Sequence, residues 1–326
     1  MKSFKFLAVL GLAAFLTVPA TAQEYRLKFA TSQSNPKEPI VRAMKLYADR
    51  VKERSDGRVS ISILTGDQLG PQKKVNEMVL SGARILNATD YGQLSQFVAD
   101  MGIVAGPYIY PDLKASDRLF SSDVYAELSK KLEDQGIKIL MPNGLFGYRH
   151  VLANKPVRTP ADLQGVTIRV PPAPIMLETF AAFGARPTEL PWSDVYNALQ
   201  TGVVDAAEAP FGAIASSKLQ ETRKVISKTN HQIMFTAWVT STAFFNSLEP
   251  DLQAILMEEG KKVAADLTAM TLETEDQYAA DLKKAGVEIV EDVDVEAFAK
   301  ASRGAYDRVP NLSPGIHERV LKAMAN

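Results

Sequence analysis

Arg169 is the residue with the clearest chemical address. It lies in Gly165-Val-Thr-Ile-Arg169-Val-Pro-Pro172, at the end of a short strand pattern, Thr167–Val170, where two prolines force a turn. Ligands of open α/β sheets collect at the carboxyl ends of strands. An arginine there presents a planar fork of donors matched to a carboxylate. A structural ion pair fits the same spacing equally well, so the pattern by itself leaves both roles open.

Catalytic patterns are missing. The sequence has no G-x-S-x-G elbow, no H-E-x-x-H, no P-loop and no G-x-G-x-x-G after a strand. Its three histidines, His150, His231 and His317, are scattered, with no second histidine at helical spacing. The absence of cysteine excludes thiol nucleophiles, redox motifs and cysteine-based zinc sites. Acidic residues are plentiful, but no spacing singles out a catalytic pair. A net charge of −1 supplies no field for a polyanion, which argues against nucleic acid. A binding function therefore ranks above catalysis, with no metal or cofactor expected.

The first 22 residues read as a leader rather than as fold. Lys2 and Lys5 give a positive start, Phe6–Val18 an apolar run, and Ala20-Thr21-Ala22 a small-x-small cleavage site, so the mature chain is expected to begin at Gln23. The apolar run is too short for a bilayer, which takes roughly 20 residues. The protein is expected to be secreted into the periplasm and soluble.

The elements that must position Arg169 alternate along the chain. With 326 residues, 46% hydrophobic and 23% charged, the chain has material for two ordinary domains. Strand patterns fall at Tyr25–Ala30, Val59–Ile63, Ile85–Ala88, Ile137–Met141, His150–Ala153 and Thr167–Val170. Helical patterns fall at Pro39–Val51, Gln72–Ser81, Asp117–Gln135, Pro174–Phe183 and Ser193–Thr201, the last stopping at Gly202. This alternation predicts an α/β fold. Pro250–Lys284 holds no second proline and a single glycine, Gly260. At about 1.5 Å per residue it would reach roughly 50 Å as one helix, longer than a small domain is wide. It is either a beam across two domains or two helices broken near Gly260. A strand at Val287–Val290 and helices at Val295–Arg308 and Ser313–Ala325 close the chain.

Longer stretches carry a resemblance. Leu27-Lys-Phe-Ala, Gly57-Arg-Val, Gln68-Leu-Gly70, Gly147-Tyr-Arg149, Thr159–Pro171, Gly184–Thr188, Asp194–Asp205 and Thr229-Asn-His231 follow one another in the order of a known family. The chain resembles the DctP-type substrate-binding subunit of tripartite ATP-independent periplasmic (TRAP) transporters over its whole mature length. The resemblance implies a two-domain periplasmic binding protein (Venus-flytrap) with a long helix bracing both domains. The first domain would comprise 23–146 and 235–274, the second 147–234 and 275–326. It also implies TRAP membrane subunits as partners and a monomeric, non-enzymatic protein. Carried over, Arg169 clamps the ligand carboxylate, Arg149 supports it and Trp192 lies against the ligand. Asp90 and Ser32 are contributed by the first domain. One position departs from the family: Ala209 stands where an asparagine commonly helps hold the carboxylate, and either water or the neighbouring Asn230 is expected as its replacement.

The ligand class is read from what lies away from the clamp. Ser32, Gln33, Asp90, Tyr91 and Gln93 of the first domain, with Glu208 of the second, are expected to face the ligand. Two acids repel a second carboxylate, whereas acids and amides suit hydroxyl groups. Trp192 offers a flat surface to a sugar ring. A sugar acid such as a hexuronate or aldonate is expected, ahead of a C4-dicarboxylate or keto acid. The rivals from other classes are an enzyme using Asp90 and Glu208 as acid and base, and a sensing module.

Overall fold

A computed structural model describes residues 24–325; the leader and its cleavage site lie outside the described residues. The chain begins with β1 (Tyr25–Ala30), α1 (Pro39–Arg54), β2 (Val59–Leu64), α2 (Gln72–Leu80) and β3 (Ile85–Asp90), and β1 pairs in parallel with both β2 and β3. The short α3 (Tyr91–Leu94) follows, then α4 (Leu113–Phe120) and α5 (Asp123–Asp134). The single helix expected over Asp117–Gln135 is two, because Ser122 starts the second by accepting a hydrogen bond from the Tyr125 amide. β4 (Ile137–Ala153) leads to β5 (Thr167–Val170), α6 (Pro174–Ala182), β6 (Arg186–Glu189), α7 (Val195–Thr201), β7 (Ala206–Ala209) and α8 (Phe211–Ser216). β5 pairs in parallel with β6 and β7, repeating the arrangement of the first three strands. β8 (Val225–Ser241), α9 (Thr242–Asn246), α10 (Pro250–Lys284), β9 (Glu288–Val290), α11 (Val295–Tyr306) and α12 (Ile316–Met324) complete the fold.

The nine strands of the described residues form one sheet, in the order β2-β1-β3-β8-β4-β7-β5-β6, with β9 beside β8. β4 and β8, each 17 residues long, run antiparallel through its centre and are the two crossings between its halves. The sequence pattern splits β4 in two because Pro142, Gly144 and Gly147 interrupt the alternation. The chain instead stays extended there and absorbs them as shifts in register against β8.

The beam alternative for Pro250–Lys284 is the one observed, as 35 unbroken helical residues. Leu252, Leu256, Val263 and Leu267 share a core with α1 and β1, while Leu282 joins the core of β7 and α8. Arg54 bridges Glu258 and Glu259, and Arg50 bridges Asp266, tying α1 to the helix. Gly260 does not break the helix. It lets the helix lie against β4: a Cβ there would come within 2.2 Å of the Leu140 carbonyl oxygen. α12, grouped by sequence with the second domain, packs instead on helices of the first half. Ile316, Val320 and Met324 enter a core shared with Ala115 and Leu119 of α4 and Leu128 of α5, Arg319 bridges Glu127, and Arg118 holds the Met324 carbonyl.

Candidate functional site

A cavity of about 410 Å³ lies between the two halves of the sheet. The first half supplies Thr31, Ser32 and Gln33 after β1, and Asp90 and Gln93 after β3; the second supplies Arg169, Trp192 and Ala209. These positions are the carboxyl ends of parallel strands, where backbone polarity and loop freedom converge. Arg149 of β4 and Met234 and Thr236 of β8 form the back wall, on the crossing strands.

Arg169 is aimed by backbone. Its Nε and Nη2 donate to the Leu190 carbonyl at 3.0 and 2.7 Å, and its guanidinium lies 5.4 Å from the centre of the Trp192 ring. The Trp192 indole is itself held by the Ser217 hydroxyl at 3.2 Å. Three of the five N–H groups of a guanidinium remain for a ligand. Burial pushes this guanidinium down to about 10, partly offset by Glu208, so it stays charged at neutral pH.

Arg149 is differently placed. Its Nε and Nη2 grip both carboxylate oxygens of Glu208, the latter at 2.5 Å, and its Nη1 meets the Met234 sulfur at 2.8 Å. Glu208 is wholly buried behind it and does not line the cavity, contrary to the expectation that it faces the ligand. Burial alone would raise this carboxyl, but the Arg149 charge and the hydrogen bonds of His231 and Arg149 hold it at about 2. His231 Nε2 lies 3.1 Å from Glu208, and its Nδ1 faces the Thr229 hydroxyl at 2.8 Å. Burial keeps this imidazole below its ordinary value, so we assign a neutral ring donating to Glu208. Arg169, Arg149 and Glu208 together bring a net charge of +1 to the site.

On the opposite wall acceptors lie beside donors, with Asp90, Gln33 and Gln93 inside and Lys73 and Lys74 at the rim. Asp90 caps α3, taking the Gln93 amide at 3.0 Å. Burial raises its carboxyl, against the Gln93 amide and the Arg149 charge. Gln33 and Gln93 each have a buried side-chain oxygen with no hydrogen-bond partner among the described residues. Such a group is costly unless something donates to it.

Two further expectations are corrected. Tyr91 turns away from the cavity, its hydroxyl bonded to Tyr125 at 2.6 Å and to the Pro142 carbonyl at 2.5 Å. Asn230 is exposed, in the left-handed region with φ 46°, and lines a separate cavity with Tyr108, Lys228 and Glu275. It therefore cannot stand in for the asparagine replaced by Ala209. Sequence reading missed Thr31, Phe146, Met234 and Thr236 as cavity residues, and His231 as the support of Glu208. The Lys73–Lys74 pair after Gly70-Pro71, also on the cavity rim, was a visible signal.

Residues 29–311 match the profile of bacterial extracellular solute-binding protein family 7, DctP. The chain belongs to this family. Among solved family 7 folds, a TRAP periplasmic solute-binding protein from Actinobacillus succinogenes 130z with bound L-galactonate is 33% identical and superimposes with a TM-score of 0.88, covering 92% of this chain and 99% of that one. A TRAP protein from Escherichia fergusonii, in an apo open structure, is 31% identical over 93% of this chain and all of that one, with a TM-score of 0.80. The family 7 chain described here is thus nearer in shape to the ligand-bound relative than to the open one. The 2,3-diketo-L-gulonate-binding periplasmic protein YiaO of Escherichia coli K12 is 29% identical over 296 residues, covering 90% of this chain and 89% of that protein.

Proposed function

We propose that this family 7 protein captures a polyhydroxylated monocarboxylate, a hexonate or hexuronate, in the periplasm and delivers it to the membrane subunits of a TRAP transporter. The observation that carries the reading is the polarity of the cavity. One wall offers the three free N–H groups of Arg169 and a net charge of +1. The other is lined by Gln33 and Gln93, whose buried side-chain oxygens have no partner among the described residues, beside Asp90. A monocarboxylate at one end and hydroxyl donors at the other satisfy both. A dicarboxylate would leave the acceptors unpaired and bring a second negative charge to Asp90. L-galactonate and 2,3-diketo-L-gulonate, named for two relatives, fit this description.

The mechanism is closure of the halves about β4 and β8, adding the acceptor wall once Arg169 holds the carboxylate. A charge-assisted hydrogen bond contributes roughly 1.5–3 kcal/mol net, a large part of the about 8 kcal/mol of micromolar affinity. An enzyme built on Asp90 and Glu208 lacks support, since Glu208 is sealed from the cavity by its ion pair. Titration calorimetry with L-galactonate, D-glucuronate, D-gluconate, succinate and pyruvate is the test. Tighter binding of succinate or pyruvate than of all three sugar acids would overturn the reading.

A further inference from the structure

At the seam between the halves, outside the ligand cavity, one carboxyl is buried by parts that belong to both. Glu38 ends the loop before α1, fixed by its amide on the Asn35 carbonyl at 3.2 Å and by the Arg42 amide on its own carbonyl at 3.0 Å. It is 3% exposed, and its Oε1 has no hydrogen-bond partner among the described residues. What covers it comes from elsewhere: Ser216 of α8, which also takes a hydrogen bond from Asn35 at 3.1 Å, and Tyr278 of α10. The void beside Glu38, lined by Gly212 and Ala213 of α8 and Tyr278 of α10, is only about 20 Å³.

The charged surroundings do not compensate a carboxylate. On α1, Arg42 one turn on is exposed; Lys37 of the loop is exposed too, and neither makes an ion pair with Glu38 among the described residues. α8 presents only the Ser216 hydroxyl. α10 presents the Tyr278 hydroxyl and, on the same void, Glu275, itself pushed up to about 7 by burial and by Asp276.

We propose that Glu38 is a proton latch: closing the halves buries its carboxyl in protonated form, so closure and ligand capture take up a proton. The proposal rests on the closure described above, not on the identity of the ligand. Swinging α8 away returns Glu38 to water and to its ordinary value near 4.5, whereas in this arrangement burial pushes it up to about 7, against the Ser216 hydroxyl. A carboxyl raised in the closed form favours closure as pH falls, and the gain vanishes above about pH 7. Between pH 8 and pH 6 this amounts to up to about a tenfold gain in the closed form.

The natural chain has no cysteine, so spin labels at Lys45→Cys on α1 and Gln200→Cys on α7, both exposed, report the distance between the halves without interference. In the ligand-free protein the short-distance population should grow from pH 8 to pH 6. Glu38→Gln should flatten most of that growth, and Ser216→Ala, which removes a donor to the carboxylate, should move it to higher pH. L-galactonate should bind up to about tenfold tighter at pH 6 than at pH 8, and within about twofold in Glu38→Gln. The same pH response in Glu38→Gln as in the parent, or no response in the parent, would overturn the latch. Failure of L-galactonate to bind while the distances still respond to pH would remove the sugar-acid reading and leave the latch standing.

Discussion

Glu208 holds Arg149 from behind, through both carboxylate oxygens, and so determines how much positive charge the cavity shows its ligand. The two arginines are not equivalent. Arg169 is held by a neutral carbonyl and keeps its charge for the cavity, whereas the charge of Arg149 is matched within the protein.

Arg169→Lys should therefore abolish most binding of sugar acids although charge is conserved. An ammonium cannot bond the Leu190 carbonyl twice and a carboxylate twice from one plane. We expect a loss of roughly 30-fold or more, equivalent to about 2 kcal/mol. Calorimetry that found Arg169→Lys within about threefold of the parent would refute the clamp.

Glu208→Gln should destabilise the fold by about 3–5 kcal/mol, as removing one partner of a buried pair does. Because Glu208 is held at about 2 when folded, below the ordinary 4.5, its contribution is present above about pH 4.5 and is lost as pH falls toward 2. Acid unfolding followed by circular dichroism should be steeper below pH 4.5 in the parent than in the variant. The variant should also gain affinity for succinate relative to D-gluconate, since Arg149 is left uncompensated. Matching acid limbs in the two proteins would argue against this role.

Gln93→Leu and Gln33→Leu should weaken D-gluconate by about tenfold each, by removing an acceptor for a hydroxyl. Pyruvate, which has no hydroxyl to donate, should be unaffected by either. Equal losses for both ligands would mean that the amides shape the cavity rather than read hydroxyls.

Gly260→Ala should destabilise the protein, although alanine ordinarily stabilises a helix interior by about 1 kcal/mol. The added methyl meets the Leu140 carbonyl at 2.2 Å, and overpacking of this kind costs about 1–3 kcal/mol. A raised melting temperature would mean that the helix can ride outward from β4 at little cost.

The sequence alone determined the elements whose signals are local. Alternation at Val59–Ile63, Pro39 opening α1, and the helical character of Pro250–Lys284, which has no second proline, each read correctly because period and punctuation are properties of neighbouring residues, whereas the sequence leaves a break at Gly260 open. The strand-end position of Arg169 was legible for the same reason. β8 was not: its residues are largely buried, and Asn230 kinks it at φ 46°, so no simple alternation marks it. Nor could spacing show that Glu208 turns inward to Arg149, that Tyr91 bonds Tyr125, that Asn230 lies on another face, or that α12 returns to the first half. Those outcomes depend on which residues distant in sequence meet in space. Charge pairing, satisfaction of buried polar groups and the register of β4 against β8 decide them only once the chain is folded.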